Sequence, residues 1–355
     1  MDALEMIREL SEAFGPPGFE DDVVQCARRY VPPTVMTEED TLRNLYLYHG
    51  GNTAGRPKVM LDAHLDEVGF MVQAVKPNGT LRFIPLGIWV NSNIPAHRVR
   101  VRAKGGEEVV GIISTKPPHF MSEGEKGRTP EIADMAIDVG ACSAAEAGDA
   151  FGIRIAAPAV PDVPFFYDKK HDNMIGKAFD DRLGCAAVLA VMNDLASEKL
   201  PVDLVGALAA QEEMHMRGAQ VTARRVKPDI AIVFEGTPAD DTFTEPYLTQ
   251  TALHKGPMLR HIDRMMITHP RFQRFALDTA EECGIPVQEA VRTGGATNGA
   301  VIHLSGEGVP CIVIGIPVRY SHTHYGIASY EDFRNGVRLA EEIIRRLDGD
   351  VIRSF

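Results

Sequence analysis

Short apolar runs that end in a charged residue recur along this 355-residue chain. Positions 59–63, 204–210 and 230–234 are almost wholly apolar, and a histidine or a glutamate follows each run closely. Such runs are typical of strands buried on both faces of a parallel sheet. The alanine-rich stretch 183–195 is long enough for a crossover helix, and positions 311–316 add one more central strand. The pattern predicts the strand–helix–strand units of an α/β sheet.

Both ends of the chain carry a helical pattern. Apolar residues recur at helical spacing over positions 3–14 and stop at the Gly-Pro-Pro-Gly breaker of 15–18. Near the other end, Ser329 with Asp332 three residues later forms a capping box. The residues that follow at helical spacing are Phe333, Val337, Ala340, Ile344 and Leu347. We therefore predict a first helix over 3–14 and a closing amphipathic helix after Ser329.

The middle of the chain has a different texture, with short alternating runs separated by turn residues. Runs of this kind occur at 70–75, 81–84, 99–102 and 109–113, and no long helical pattern interrupts them. An all-β insertion into an α/β domain is the simplest interpretation. We predict a mixed central sheet flanked by helices, formed by residues 1–69 and 169–355, with residues 70–168 as an inserted β-barrel-like domain.

Composition narrows the class of protein. Hydrophobic residues make up 45% and charged residues 24% of the chain, which excludes a disordered, collagenous or coiled-coil protein. The net charge of −12 argues against a nucleic-acid partner. No signal peptide and no apolar run of membrane-spanning length is found, and the five cysteines are scattered. We expect a cytoplasmic protein without a membrane partner.

The candidate catalytic and metal-binding residues lie just beyond the ends of the predicted strands. His64, the pair Glu212 and Glu213, and Glu235 each follow the carboxyl end of a buried strand, where α/β sheets bind ligands. Asp180 immediately precedes the predicted crossover helix. His322 lies six residues beyond the last central strand and could reach the same crevice.

Imidazoles and carboxylates without a thiolate suit two divalent cations, most plausibly Zn²⁺ or Co²⁺, with Mn²⁺ also compatible. Two such ions can polarise a carbonyl and activate a bridging water, and one further carboxylate must move the proton. The adjacent Glu212 and Glu213 fit this division, one as a ligand and the other as the base. Neither an HExxH helix nor a phosphate-binding loop is found in the sequence.

Four segments together resemble family 42 of the metallopeptidases, the tetrahedral or TET aminopeptidases, some members of which have glutamyl aminopeptidase or cellulase-type names. They occur in the family's order over nearly the whole chain: 63–69 (AHLDEVG), 177–185 (KAFDDRLGC), 211–219 (QEE followed by RGA) and 319–323 (RYSHT). The resemblance implies a zinc-peptidase-like fold and release of N-terminal residues from short peptides. It also implies that the β insertion mediates assembly into a homo-oligomer, typically a dodecamer.

The resemblance implies a role for each candidate residue. His64 and Glu235 would bind one metal, Glu213 and His322 the other, and Asp180 would bridge both. Glu212 would be the general base. Asp66 would orient His64 by accepting the proton of its other ring nitrogen.

Several positions depart from the family pattern. Glu235 stands where many members have Asp, His215 replaces a glycine, and His324 stands where proline is common. Asn298 replaces a carboxylate in a Gly-Gly-Thr-Asp-Ala loop. We do not expect His215 or His324 to be a ligand, whereas the change at Asn298 could weaken selection for a free N-terminus.

Two alternatives stay open from sequence. A glycoside hydrolase would use a carboxylate pair but would have no need for His64 and His322. A non-catalytic peptide-binding scaffold would retain the fold and lose the chemistry. The sequence does not define the preferred N-terminal residue.

Overall fold

The computed structural model of the chain describes residues 2–53 and 55–355. Its helices are α1 (Ala3–Glu12), α2 (Asp21–Arg29), α3 (Glu123–Lys126), α4 (Ala144–Asp149), α5 (Phe179–Asp194), α6 (Arg217–Val226), α7 (Pro270–Cys283), α8 (Gly299–Ile302), α9 (Tyr330–Arg346) and α10 (Gly349–Arg353). Its strands are β1 (Met36–Glu39), β2 (Leu45–Tyr48), β3 (Lys58–His64), β4 (Gly69–Val75), β5 (Leu81–Leu86), β6 (Arg98–Arg102), β7 (Glu108–Ser114), β8 (Ala136–Asp138), β9 (Pro158–Pro161), β10 (Phe166–Asp168), β11 (Asn173–Gly176), β12 (Asp203–Ala209), β13 (Ile230–Pro238), β14 (Met258–Ile262), β15 (Gln288–Val291), β16 (Cys311–Arg319) and β17 (Gly326–Ser329).

Eleven of the strands in the described residues form one mixed sheet, which runs β1-β2-β12-β3-β13-β16-β17-β11-β10, with β14 and β15 attached beside β16. The centre, β12-β3-β13-β16, is parallel, and antiparallel pairs flank it. These four strands are buried almost throughout, as the unbroken apolar runs predicted. The carboxyl ends of parallel strands meet at one edge of the sheet, and this edge carries the candidate site.

Apolar cores cover both faces of the sheet. On one face α5 packs against β3 and β13, and α1 and α9 pack against α5. On the other face α6 and α8 cover a smaller core with Met60, Val233 and Val313. The predicted crossover helix is therefore the central helix of the first layer. Its structural start at Phe179 is four residues earlier than the pattern of 183–195 indicated.

A closed barrel, in the order β4-β5-β8-β7-β6-β9, leaves the sheet directly after β3 and has its own core around Phe70, Phe83 and Val99. The predicted fold class, a mixed α/β sheet with helices and an all-β insertion, is confirmed. Two short helices, α3 and α4, lie within the insertion. The division at residues 69 and 169 stays a prediction.

Local signals explain the two terminal helices. Asp2 caps α1, and the helix ends at Glu12, just before the Gly-Pro-Pro-Gly breaker. Ser329 caps α9, because its side chain accepts the main-chain N–H of Asp332 at 3.1 Å. The reciprocal half of the predicted capping box does not form, since the Asp332 carboxylate accepts the N–H groups of His254 and Gly256 instead. Within the described residues, no helix combines the length and apolarity that crossing a membrane would require.

Candidate metal centre

The structure brings all the predicted ligands to the carboxyl edge of the parallel strands. His64 is the last residue of β3, Glu235 lies on β13, and Glu213 follows the end of β12. Asp180 lies at the start of α5, and His322 follows β16. Ligand atoms of His64, Asp180 and Glu213 lie within 4.8 Å of one another, and so do those of His64, Asp181 and Glu235. Both groups contain His64, so a cation in either group would use its imidazole.

The carboxylate of Asp180 lies between the two imidazoles. Its Oδ1 is 3.1 Å from Nε2 of His64, and its Oδ2 is 3.2 Å from Nε2 of His322. Nε2 of His322 is also 3.5 Å from Oε1 of Glu213. One carboxylate that presents an oxygen to each histidine is the arrangement expected of a bridging ligand.

The other ring nitrogen of each histidine is held by a main-chain carbonyl. Nδ1 of His64 donates to the carbonyl oxygen of Asp66 at 3.1 Å, and Nδ1 of His322 donates to that of Ile88 at 2.9 Å. A proton on Nδ1 leaves Nε2 free to bind a cation. Both histidines therefore present Nε2 to the carboxylates.

The side chain of Asp66 has a contact that the sequence did not predict. Its Oδ1 accepts the main-chain N–H of Glu212 at 2.8 Å, and its Oδ2 accepts that of Glu213 at 3.0 Å. Its Oδ1 is 3.4 Å from Nδ1 of His64, farther than the main-chain oxygen of the same residue. Asp66 thus holds the backbone that carries the predicted base and ligand.

A second buried carboxylate extends this support. Oε1 of Glu20 accepts the main-chain N–H of Gln211 at 3.0 Å and that of Gly18 at 2.8 Å. Gln211 has a φ of 56°, so the chain turns sharply where β12 ends. Three successive N–H groups, at residues 211–213, are therefore fixed by carboxylates. The sequence reasoning missed Glu20, because acceptors of main-chain N–H groups leave no motif.

Asp181 also joins the centre, although it was not predicted as a site residue. Its Oδ1 accepts the N–H groups of Gly184 and Gly236, at 3.0 and 2.9 Å, and its Oδ2 accepts that of His64 at 3.1 Å. These bonds join β3, β13 and α5 beneath the site. Its position next to Asp180 in the sequence was the one indication from which this role could have been predicted. A further contact, from Oγ of Ser321 to Oδ2 of Asp180 at 2.9 Å, supports the bridging carboxylate.

The centre is strongly acidic for its burial. Burial raises the pKa of Glu213 to about 7, against the opposing effect of His322, and raises the pKa of Glu212 and Glu235 well above the ordinary range. Burial would also raise the pKa of Asp180, but hydrogen bonds from His322 and His64 lower it below the ordinary range. The buried carboxylates thus outnumber the two histidines that can compensate their charge.

The excess of buried carboxylates over positive charges indicates whether the residues fit a metal ion. Among the described residues, Oε1 of Glu213 and Oε2 of Glu235 are buried without a hydrogen-bond partner. Buried carboxylate oxygens of this kind are costly unless a cation compensates them. The donor set of imidazole nitrogen and carboxylate oxygen suits Zn²⁺, so the residues fit a divalent metal.

The positions that depart from the family pattern lie in different surroundings. His215 is exposed, in agreement with its exclusion as a ligand. His324 is fully buried, and its ring stacks on His97 with centroids 4.1 Å apart. Nδ2 of Asn298 donates to Oδ1 of the buried Asp62 at 2.7 Å. Asn298 is 1% exposed, and the effect of this residue on selection of a free N-terminus stays a prediction.

Comparisons with known proteins agree with this geometry. The model of the M42 glutamyl aminopeptidase family matches residues 44–339. The chain belongs to the M42 glutamyl aminopeptidase family. A glutamyl aminopeptidase of Lactococcus lactis subsp. cremoris is 32% identical over 354 residues, which are 99% of this chain and 98% of that protein. The family assignment predicted from the four segments is confirmed.

Solved structures of similar proteins have the same fold. A TET aminopeptidase from a marine-sediment archaeon of the Thaumarchaeota is 36% identical, with a TM-score of 0.94, and the match covers 99% of this chain and 98% of that one. The TET1 peptidase of Pyrococcus horikoshii, which can assemble into a tetrahedron or a large octahedral shell, is 24% identical with a TM-score of 0.88, over 98% of this chain and 100% of that one. The chain is thus a metal-dependent aminopeptidase, a peptide hydrolase, as predicted.

Proposed function

We propose that this aminopeptidase uses two metal ions, held by His64 and Glu235 on one side and by Glu213 and His322 on the other, with Asp180 between them. The observation that carries the proposal is the position of Asp180, with one oxygen facing each imidazole at 3.1 and 3.2 Å. Zn²⁺ suits this donor set best, and Co²⁺ or Mn²⁺ can replace it. When bound, such ions polarise the scissile carbonyl and make a water molecule more acidic.

We assign the proton transfer to Glu212. Its Oε2 lies 3.9 Å from Nε2 of His64, so it borders the centre at greater distance than the bridging carboxylate. Burial raises the pKa of this carboxyl well above the ordinary range, which suits a group that takes a proton and returns it to the leaving amine. The carboxylate of Asp66 accepts the main-chain N–H groups of residues 212 and 213, and these two bonds hold the backbone that carries the Glu212 carboxyl. Asp66 is therefore a positioning residue.

We propose short peptides with a free N-terminus as the substrates. The family that matches this chain is one of aminopeptidases, which act at a free N-terminus. The relative from Lactococcus lactis is named a glutamyl aminopeptidase, and a preference for an acidic first residue is one candidate for this chain. The cytoplasm stays the predicted compartment.

We also propose that the barrel mediates assembly into a homo-oligomer, with the dodecamer as the expected form. Large apolar side chains on the insertion are exposed, namely Ile84, Ile88, Val90, Val110, Ile112 and Phe120, several of them by more than half. Exposed large apolar side chains, where they form one patch, are typical of a protein interface. Charged replacements at Ile112 and Phe120 should reduce the mass measured by light scattering, whereas an unchanged mass would contradict the proposal.

The function is tested with a panel of free and N-acetylated peptides together with cello-oligosaccharides. We expect release of N-terminal residues from free peptides alone, abolished by a chelator. Glu212→Gln should keep its bound Zn²⁺ and lose turnover by several orders of magnitude. Hydrolysis of the oligosaccharides would favour the glycoside hydrolase alternative, and metal binding without any hydrolysis would favour the scaffold. Near-normal turnover of Glu212→Gln would remove the assignment of the base.

A further inference from the structure

The barrel reaches the metal centre through residues 87–89, the 87–89 segment, which directly follows β5. The carbonyl oxygen of Ile88 accepts from Nδ1 of His322 at 2.9 Å. The ring of Trp89 lies 5.1 Å, centroid to centroid, from the ring of His324. One short segment therefore contacts the loop that carries His322 at two places.

A third contact is made by Gly87. A Cβ atom built on this residue would lie 2.7 Å from Cγ1 of Val68 and 3.1 Å from Oε2 of Glu213. The backbone of the segment thus passes close above a candidate ligand, with a φ of 81° at Gly87 that a larger residue rarely adopts. The segment borders Glu213 as well as His322.

The two histidines of the centre are supported in different ways. His64 is 1% exposed, and the main-chain oxygen that holds its Nδ1 belongs to Asp66, two residues along the same chain segment. His322 is 30% exposed and has a φ of 59°, and its Nδ1 is held by Ile88, 234 residues away in the chain. A hydrogen bond on the far nitrogen sets the orientation of a metal-binding imidazole. The orientation of His322 therefore depends on the barrel.

The segment is itself anchored in the barrel. The ring of Trp89 stacks on Phe70 of β4 with centroids 4.7 Å apart, and His324 stacks on His97, which directly precedes β6. Contacts between aromatic rings are favourable beyond the area that they bury. The position of the Ile88 carbonyl is thus set by packing against the barrel core.

We propose that the 87–89 segment is a positioning element of the metal centre, so that the barrel orients the ligands of one metal, at Glu213 and His322, and leaves the other, at His64 and Glu235, unaffected. The inference rests on the proposed two-metal function. It gives the barrel a role within each single chain, independent of assembly.

Fluorescence tests the inference directly, because Trp89 is the chain's only tryptophan. Zn²⁺ is added to the metal-free protein while the bound metal is counted. We expect the emission of Trp89 to change with the equivalent that fills the His322 side. The change should disappear in His322→Ala and persist in Glu235→Gln. Two bound Zn²⁺ ions with constant emission would overturn the inference and leave the proposed function intact. Failure to bind Zn²⁺ would overturn both.

A matched pair of glycine variants gives the second test. Gly87 and Gly106 both have a positive φ, 81° and 94°, but a Cβ atom at Gly106 meets no described atom within 4 Å. We expect Gly87→Ala to weaken binding of one Zn²⁺ equivalent by about 10- to 100-fold and to leave the other unchanged. Gly106→Ala should bind both ions as the wild type does. Wild-type affinity in Gly87→Ala, or equal loss in both variants, would contradict the inference. If Gly87→Ala does not fold, the fluorescence titration decides.

Discussion

Replacement of Asp66 by asparagine tests whether this residue supports catalysis by holding the backbone of Glu212 and Glu213, beyond its contribution to the stability of the fold. Asp66 is fully buried, and each of its carboxylate oxygens accepts one main-chain N–H, from Glu212 and from Glu213. An asparagine keeps one acceptor and turns an amide N–H₂ toward the other donor. One buried N–H therefore loses its partner in the Asp66→Asn variant.

The size of the effect follows from the lost bond. A buried donor without a partner costs about 1 to 3 kcal/mol of unfolding free energy. With ~2.1 cal/mol/K of unfolding entropy per residue, that loss lowers the melting temperature of this 355-residue chain by about 1 to 4 °C. The displaced backbone carries both the predicted base and a predicted ligand, so we expect kcat to fall by about 10- to 100-fold.

Asp332 offers a matched control. It lies in the first turn of α9 and is 1% exposed. Its two carboxylate oxygens accept the main-chain N–H groups of His254 and Gly256, both at 2.7 Å. Asp332→Asn should lose similar stability and keep kcat, as measured by calorimetry and by release of N-terminal residues. If Asp66→Asn kept kcat within about twofold of the wild type at full metal occupancy, or if the control lost equal turnover, the reasoning would be refuted.

Three further variants probe the support of the site. Arg182 is fully buried and donates to four main-chain carbonyls and to Glu67. Arg182→Met should therefore lower the unfolding free energy, measured by denaturant titration, by about 3 to 5 kcal/mol. A loss below about 1 kcal/mol would contradict this. Asn298→Asp places a second carboxyl against Asp62, whose pKa burial raises to about 8, so its melting temperature should fall; an equal or higher value would argue against the pairing. Burial, and then the charge of Asp66, raise the pKa of Glu20 from 4.5 to about 7, so its contribution to stability is lost as the pH rises through 7. Between pH 5 and 8 the unfolding free energy of the wild type should therefore fall by up to roughly 3 kcal/mol more than that of Glu20→Gln. Parallel plots of unfolding free energy against pH for the two proteins would contradict this.

The sequence predicted the sheet and the set of residues at its edge because both have strong patterns. Buried parallel strands need continuous apolar runs, and charged residues at their ends stand out against such runs. The positions of His64 and Glu235 follow from this pattern. Asp180 and His322 were candidates from their places in the chain, and the family resemblance added their roles; the distances from Asp180 of 3.1 Å to His64 and 3.2 Å to His322 agree with a bridging Asp180.

The contacts that orient these residues could not be predicted. Oδ1 of Asp66 lies 3.4 Å from Nδ1 of His64, the expected partner, but the same carboxylate also accepts the N–H groups of Glu212 and Glu213. Hydrogen bonds to the main chain leave no residue pattern, so these two could not be predicted. The Ile88 carbonyl reaches His322 from another domain of the fold, and side-chain identity at position 88 plays no part in that bond. Such pairings depend on the packing of the barrel against the sheet.

The two-metal centre is tested by the activity of the metal-free protein as Zn²⁺ is returned in measured equivalents. Release of N-terminal residues from a free peptide should be absent without metal and should reach its maximum when two equivalents are bound, with an N-acetylated peptide left intact throughout. Full activity of the metal-free protein would contradict the metal-dependent mechanism. Saturation at one equivalent would contradict the two-metal centre bridged by Asp180.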